Sequence, residues 1–325
     1  MANIRDIAKH AGVSVTTVSR VINHHPYVRE DKKTAVFQAM QELNYRRNIN
    51  AVHLAKGKTN MIGVVLPTIN HPYFGEIVDG IAEEAIKQGV QLLLFQTNYE
   101  TKRELEALEQ LRGCVVDGVI FCSRAISLDI VKTYKKDGPI VLCEDSDQAY
   151  FPSISICHEE AFRFGLDYLC SKGYEKIAYC IGRKDGPNSA KRRRAYVQKM
   201  KEIGQEIREE WLFDKCLTIE DGRRVMRQYL ELAEKPAAFL VSADQTAAGI
   251  LYEAKQLQVR IPKDLAILSF DNHPIAEIMG ISTIEIPTKE LGIQAFQTYV
   301  KLMNERDYKG EKVMLPYRLI ERCTI

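Results

Sequence analysis

The chain has 325 residues, of which 46% are hydrophobic, so it is long enough for two or three domains with buried cores. The formal net charge is only +2 but is unevenly spread: residues 1–58 carry +6 and the remainder carries −4. Residues 1–58, here called the head, are thus basic, and the rest of the chain, here called the body, is mildly acidic. This distribution predicts that only the head would contact a polyanion such as nucleic acid.

The cysteine pattern and the lack of long apolar runs exclude several classes of protein. The eight cysteines include no Cys-x-x-Cys pair, which argues against a disulfide framework or a zinc site. Cys122, Cys143 and Cys180 lie in apolar, strand-like runs and are predicted to be buried free thiols. No apolar signal region opens the chain and no run of about 18 apolar residues occurs, so we expect a cytoplasmic protein with no membrane partner.

Three helices are predicted in the head. Asn3 can cap a first helix that Gly12 ends, and Ser14 can cap a second helix whose valines face one side. Residues 31–45, DKKTAVFQAMQELNY, form the third predicted helix. Two short helices joined by the tight turn AGVS and closed by a third predict a helix-turn-helix.

A short polar segment follows the head. Residues 46–60 read RRNINAVHLAKGKTN and could form about two helical turns, fewer than an isolated helix needs in water. Two interpretations stay open at this stage: a plain linker, and a linker that folds on binding.

The body alternates apolar strands with amphipathic helices. The runs MIGVVLP, VQLLLFQT, DGVIFCS and PIVLCED come first, and the pattern restarts at KIAYCIG, AAFLVSA and LAILSFD. Continuous apolar strands separated by helices predict parallel sheets covered on both faces. We therefore predict two doubly wound subdomains, with STIEIPTKELG crossing back to the first and LPYRLIERCTI forming late strands.

Polar residues collect after the predicted strands. TINHPYF follows the first strand, Glu144 follows IVLC, GRKDGPNSAKR follows IAYCI, and Asp271 follows AILSF. Ligands of open α/β sheets bind beyond the carboxyl ends of the strands. A cleft between two such subdomains would gather these side chains around a small polar ligand.

Motifs of the common enzyme classes are missing from the sequence. No GxGxxG follows a strand, and neither GxSxG nor His-Glu-x-x-His occurs. We therefore predict no enzyme activity, no cofactor and no metal site.

A solute-binding protein for transport is the alternative with the same body fold. It would require a secretion signal and no basic head. The fold alone cannot separate a transport protein from a DNA-binding regulator.

The chain resembles the LacI/GalR family of bacterial transcription regulators from end to end. The head IRDIAKHAGVSVTTVSRVIN is close to a family signature, and LAKGKT, GVVLPTINHPYF, SADQTAAG and SFDNHP follow in the family's order. The resemblance implies an all-α helix-turn-helix head with a hinge helix, and an α/β body that resembles periplasmic binding proteins. The implied boundaries are 1–46 for the head, 47–59 for the hinge, and 60–325 for the effector-binding and dimerisation domain, with subdomains of about 60–157 plus 288–316 and about 158–287 plus 317–325.

The resemblance also implies which residues bind DNA. The second helix would enter the major groove, where Arg20 can bond bidentately to guanine and the methyl groups of Val15 and Thr16 can pack on thymine. Expected contacts with the DNA backbone come from Ser14, Thr17, Ser19, Asn23, Tyr45 and Asn48. Leu54 matches the leucine that the family inserts into the minor groove at the operator centre. Arg47 and Val52 depart from the family pattern, where Pro and Arg are usual.

The effector residues follow from the same resemblance. Arg192 and Asp271 match the pocket arginine and aspartate of the family, and the positions that line the cleft in relatives are His71, Tyr73, Phe74, Glu144 and Asn188. Such a set suits a hydroxyl-rich ligand, since carboxylates accept and Arg donates; Ala243 and Ile286 make one side less polar than in relatives. The implied protein is a nucleoid-associated homodimer, commonly a repressor, that binds a palindromic operator and is switched by a sugar or sugar derivative.

Overall fold

The computed structural model describes residues 2–45, 57–146, 150–305, 308 and 310–325. The chain forms two compact units, Met1–Thr59 and Asn60–Ile325. The predicted contacts of Asn48 and Leu54, and the departures at Arg47 and Val52, lie outside the described residues.

The head is a bundle of three helices, as predicted: α1 (Ile4–His10), α2 (Val15–Ile22) and α3 (Glu30–Glu42). Asn3 caps α1 in a capping box with Asp6. Gly12 adopts a φ of +64° and reverses the chain before α2. The apolar faces of the helices meet in a small core of Ile7, Ala8, Val18, Val21, Val36 and Ala39.

The first subdomain of the body is built on a six-stranded parallel sheet. Its strands are β1 (Met61–Leu66), β2 (Gln91–Gln96), β3 (Val119–Phe121), β4 (Ile140–Leu142), β5 (Ser153–Ser155) and β11 (Lys312–Met314). They lie in the order β11-β5-β4-β3-β1-β2. The helices that follow the first three strands are α4 (Pro72–Gln88), α5 (Thr101–Arg112) and α6 (Leu128–Lys132).

The second subdomain repeats this layout. Its strands are β6 (Ile177–Cys180), β7 (Leu212–Phe213), β8 (Ala238–Val241), β9 (Ala266–Asp271), β10 (Ser282–Glu285) and β12 (Arg318–Ile320), in the order β12-β10-β9-β8-β6-β7. Its helices are α7 (His158–Ser171), α8 (Pro187–Glu202), α9 (Ile219–Glu231), α10 (Asp244–Gln256) and α11 (Pro274–Ile278), with a 3₁₀ turn at Glu209–Trp211. The predicted pair of doubly wound subdomains is thereby confirmed.

The chain passes between the subdomains after β5, after β10 and after β11. The second passage is at Ile286 and Pro287, within the predicted segment, and it leads into α12 (Thr288–Asn304), which packs on α4. The third passage corrects the expectation of purely parallel sheets, because β12 runs antiparallel to β10. The three residues 315–317 between β11 and β12 are too few for a crossover helix. The chain leaves the first sheet at the carboxyl end of β11 and enters the second sheet at the edge where its parallel strands end. β12 therefore runs in the direction opposite to those strands.

A glycine contact sets the spacing of α4 and α12, and it yields a stability prediction. A Cβ added at Gly80 would lie 2.1 Å from the carbonyl oxygen of Lys289, whereas one added at Gly75 would meet only the carbonyl oxygen of Ile69, at 4.0 Å. We expect Gly80→Ala to lower the free energy of unfolding by about 1–3 kcal/mol, because the helices must move apart. Gly75→Ala is the matched control in the same helix and is expected to leave stability unchanged or raise it by up to about 1 kcal/mol. Equal urea midpoints for the two variants would contradict this description of the contact.

Candidate functional site

One face of α2 is exposed and carries the predicted base-contacting residues. Val18 and Val21 point into the head's core, so the opposite face of the helix is turned outward. On it, Val15 is 42% exposed, and Thr16 and Arg20 are also exposed. Among the described residues, no carboxylate lies within ion-pair distance of the Arg20 guanidinium. An exposed guanidinium that forms no ion pair within its own domain can bind a phosphate group or the edge of a base.

The remaining predicted polar residues of α2 shape its two ends. The Ser14 hydroxyl accepts a hydrogen bond from the Thr17 backbone N–H at 3.1 Å, so Ser14 is the helix cap. At the other end, the Asn23 side-chain amide donates to the Ser19 carbonyl at 2.9 Å. Tyr45 packs against the edge of the head's core. These contacts are local, and the predicted phosphate contacts of the same residues stay predictions.

A cleft lies where the carboxyl ends of strands from the two subdomains meet. It holds about 760 Å³ of empty space, part of it continuous with solvent. Six of the seven predicted effector residues line it: His71, Tyr73, Phe74, Asn188, Arg192 and Asp271. Side chains from both subdomains therefore surround one common volume, as in small-molecule sites that lie between domains.

Glu144 departs from the prediction because it does not line the cleft. Its side chain is only 3% exposed, and the Arg124 Nε atom donates to its Oε1 atom at 2.5 Å. Burial raises the pKa of Glu144, although the nearby Arg124 guanidinium opposes this shift. Glu144 was predicted to line the cleft because it follows β4 in the sequence. In the structure its carboxylate pairs with Arg124, which lies twenty residues earlier in the chain.

Three aromatic rings at the start of α4 form one wall of the cleft. Pro72 begins the helix, and His71 lies at its N-cap. The Tyr73 and Phe74 rings are perpendicular, with centroids 5.2 Å apart, and the His71 ring lies 5.5 Å from that of Phe74. Burial lowers the pKa of His71 to about 4, so the ring is neutral at pH 7. Its Nδ1 atom is buried and has no hydrogen-bond partner in the described chain, which points to a ligand.

The first turns of α8 supply the opposite wall. Asn188 and Arg192 are four residues apart and so lie on one face of the helix. The Asn188 Oδ1 atom is buried and, like His71 Nδ1, finds no partner among the described residues. An Arg192 Nη2 atom lies 3.3 Å from Nδ1 of His158. This wall therefore offers one open acceptor and a guanidinium with several free donors.

Asp271 ends β9 in a strained backbone conformation, with a φ of +105°. The loop after it is held by Asp244, which accepts hydrogen bonds from the His273 backbone N–H at 2.7 Å and from the Thr283 hydroxyl at 2.8 Å. Burial, with the charge of Asp244 nearby, raises the pKa of Asp271 well above its usual range. Asp244 is thus a positioning residue that fixes the loop on which the Asp271 carboxyl enters the cleft.

The buried Asp244 carboxyl predicts a pH dependence of stability. Burial raises its pKa to about 6 from an ordinary value of 3.8, although three hydrogen-bond donors oppose the shift. Between these values the folded chain binds the proton more tightly than the unfolded chain, so stability falls as the pH rises through this window. Asp244→Asn does not titrate. From about pH 4 to about pH 7, we expect the parent chain to lose about 2–3 kcal/mol more unfolding free energy than the Asp244→Asn variant loses. Unfolding is followed by Trp211 fluorescence, and the same dependence of unfolding free energy on pH in both chains would contradict this.

Sequence reasoning missed two prominent residues of the cleft, Tyr99 and Arg183. Tyr99 follows β2, and Arg183 follows β6 inside the segment GRKDGPNSAKR. The Arg183 guanidinium lies 4.0 Å from the centroid of the Tyr99 ring, across the cleft. The signal that could have found both is the one that found Asp271, namely the position at or just after the carboxyl end of a strand.

None of the helices that the structure describes is long and apolar enough to cross a bilayer. Within the same described ranges, no three His, Cys, Asp or Glu side chains come together in a way that could hold a metal ion.

Both units of the chain match known family models. Residues 3–48 match the bacterial regulatory proteins of the lacI family, and residues 58–323 match the periplasmic binding proteins and sugar binding domain of the LacI family. The match of the head favours a regulator over a transport protein.

Relatives with curated names agree with these matches. The uncharacterized HTH-type transcriptional regulator YkvZ of Bacillus subtilis is 54% identical over 325 residues, which is 100% of both chains. The NTD biosynthesis operon regulator NtdR of the same organism is 34% identical and covers 99% of both chains.

Solved structures show the same fold. The lac repressor dimer bound to operator and the anti-inducer ONPF has a TM-score of 0.84 at 24% identity, over 99% of this chain and 98% of that chain. A LacI family regulator from Lactobacillus casei with bound glucose has a TM-score of 0.75 at 26% identity, over 82% of this chain and 99% of the other. The chain belongs to the LacI family and is a DNA-binding transcriptional regulator with a ligand-binding body.

Proposed function

We propose that the chain is a homodimeric repressor whose affinity for a palindromic operator is switched by a sugar derivative in the cleft. The observation that carries ligand binding is a pair of buried atoms on opposite walls, His71 Nδ1 and Asn188 Oδ1, that have no hydrogen-bond partner among the described residues. Buried polar atoms without partners are costly, and a hydroxylated ligand would supply a donor or acceptor to each. Glucose in the Lactobacillus casei regulator supports this class of ligand.

On the DNA side, Arg20, Thr16 and Val15 would read bases, while Ser14, Thr17, Ser19, Asn23, Tyr45 and Asn48 would contact the backbone and Leu54 the minor groove. Two heads in a dimer would place two copies of α2 on the two half-sites of a palindrome. Such a protein would act in the cytoplasm, at the nucleoid. The body would serve as the ligand sensor and is expected to have no enzyme activity.

Ligand binding would change DNA affinity through closure of the cleft. His71, Tyr73 and Phe74 belong to one subdomain, and Asn188, Arg192 and Asp271 belong to the other. A ligand that contacts both sets favours the closed arrangement over the open one by its difference in affinity for the two.

The test uses two cleft variants and a matched control. In the parent chain, the sugar from a panel of hexoses, disaccharides and their derivatives that changes operator affinity is first identified by fluorescence anisotropy. We expect Asp271→Ala and Arg192→Ala to raise the concentration of that sugar needed for the response at least tenfold, with operator affinity in its absence within about threefold of the parent chain. Arg194→Ala is the control, since Arg194 is exposed on the same helix. A parental response from both cleft variants would place the ligand elsewhere.

A further inference from the structure

The arginines of the body differ in how their charge is balanced. Most of those described have a carboxylate within 4.0 Å, as Arg124, Arg163 and Arg260 do. Among the described residues, the exceptions in the body are Arg183, Arg192 and Arg322. Arg322 donates to a backbone carbonyl and to the Asn272 side chain and does not line the cleft. The two cleft arginines are therefore the ones whose charge faces an open volume.

Arg183 bridges the two subdomains, and within the described part of the chain no carboxylate lies within 4.0 Å of its guanidinium. Its guanidinium stacks over the Tyr99 ring at 4.0 Å, and one Nη2 atom donates to the Arg124 carbonyl oxygen at 3.0 Å. A guanidinium has five N–H donors in a planar fork, so most of the donors of Arg183 remain available to a ligand.

Among the described residues, the hydrogen-bond partner of Arg192 is a neutral side chain. Its hydrogen bond goes to His158, and burial lowers the pKa of His158 well below its usual range, so that ring carries no charge at pH 7. Burial also lowers the pKa of Arg192 itself, which reflects the cost of holding a cation away from water. Both Arg183 and Arg192 act electrostatically on Tyr99. Arg183 lies directly over the Tyr99 ring, and Arg192 lines the same cleft.

The acidic groups nearby do not neutralise this pair. Glu144 is bonded to Arg124, and both oxygens of Glu104 accept backbone N–H groups of Ala125 and Ile126. Asp271 lines the cleft and interacts electrostatically with Arg192. The two side chains form no ion pair within 4.0 Å, and two guanidiniums face this one carboxyl among the described residues that line the cleft. The lining of the cleft therefore has an excess of positive charge, concentrated between Arg183 and Arg192.

We propose that the ligand of the cleft carries an anionic group, a phosphate or a carboxylate, that is held between Arg183 and Arg192 beside Tyr99. Its hydroxyl groups would then face Asn188, His71 and Asp271 on the adjoining walls. Planar guanidinium forks bind the oxygens of phosphates and carboxylates in pairs, and the anion would balance the charge that the protein leaves open. This inference rests on the proposed function and narrows its ligand to sugar phosphates and sugar acids.

The test measures protection of the full chain by simple anions. Inorganic phosphate and acetate are titrated against thermal unfolding, with chloride at matched ionic strength as the baseline. We expect phosphate, acetate or both to raise the Tm beyond chloride, and Arg183→Met to raise the apparent Kd of the protecting anion at least tenfold. Arg183→Lys, which keeps the charge and loses the planar fork, should be intermediate. Arg194→Met is the control and should leave protection unchanged.

Each outcome decides the proposal. Protection by phosphate alone assigns a phosphate, and protection by acetate alone assigns a carboxylate. No protection beyond chloride, or equal protection of the parent chain and Arg183→Met, overturns the anionic ligand. If a neutral sugar still switches operator binding in an Asp271-dependent manner in that case, the effector cleft stands and only its anionic character is refuted.

Discussion

Arg20→Ala is expected to weaken binding of the full chain to its preferred operator by about 10- to 100-fold. A bidentate contact between a guanidinium and a guanine edge contributes about 1–3 kcal/mol of discrimination between bases. Arg20 is exposed, lies on the outward face of α2 and has no carboxylate partner within the described part of the head. Its loss should therefore leave the packing of the head unchanged and remove a contact made only with DNA.

The measurement compares the operator with a scrambled duplex at one fixed salt concentration, since phosphate contacts depend strongly on salt. We expect Arg20→Ala to lose affinity for the operator and to retain most of its affinity for the scrambled duplex. Arg29→Ala removes the same charge from the head, at a residue paired with Asp31, and should change both affinities only slightly. An equal loss on both duplexes for Arg20→Ala would make Arg20 a phosphate contact instead.

Asp145→Ala is expected to lower the unfolding free energy of the body by about 3 kcal/mol, because it removes one partner of a buried ion pair. Lys191 of α8 places its Nζ atom 2.9 Å from Oδ2 of Asp145, and the two side chains are only 7% and 4% exposed. Lys312 lies 2.7 Å from the other carboxylate oxygen. Burial raises the pKa of Asp145, but the ammonium groups of Lys312 and Lys191 outweigh it and hold the pKa below its usual value.

Unfolding in urea is followed by the fluorescence of Trp211, the only tryptophan of the chain and 2% exposed. Lys312→Met is the control, because Lys312 is half-exposed and belongs to the same subdomain as Asp145; its effect should be clearly smaller. The double variant Asp145→Leu with Lys191→Met should recover part of the loss, since apolar side chains then replace both members of the buried pair. A midpoint for Asp145→Ala equal to that of the parent chain would mean that the ion pair contributes nothing.

This ion pair also bears on the switch. Lys191 belongs to the second subdomain and Asp145 to the first, and Lys191 precedes the cleft residue Arg192 directly. Opening the cleft would separate the pair. The ion pair between Lys191 and Asp145 would therefore favour the closed arrangement, as a bound ligand would. Both would act on α8, which carries Lys191 and Arg192.

The sequence predicted the elements whose signals are local. The capping box of Asn3 and Asp6, the turn at Gly12 and the outward face of α2 depend on residues within one or two helical turns of each other. The position of the cleft was also predictable, because the carboxyl ends of parallel strands meet at one edge of a sheet whatever the sequence of the loops. Asp271 was found in this way, whereas Asn188 was expected from the resemblance to the family.

Features that depend on distant partners were not predictable from one sequence. Glu144 was expected in the cleft, but its pairing with Arg124 depends on how β3 and β4 lie side by side. The strand-end position of Arg183 was a usable signal, but its contact with the Tyr99 ring of the other subdomain was not predictable. The direction of β12 likewise depends on where the chain crosses between the sheets, which no local pattern encodes.

Selection of bound sequences from a random DNA pool by the purified full chain tests the central claim most directly. If two α2 helices of a dimer read DNA through Arg20 and its neighbours, the enriched sequences will share an inverted repeat, and Arg20→Ala will relax the preference at one position of each half-site. Enrichment of no sequence over the starting pool, both in buffer alone and with cell metabolites added, would contradict the assignment of this chain as a sequence-specific regulator.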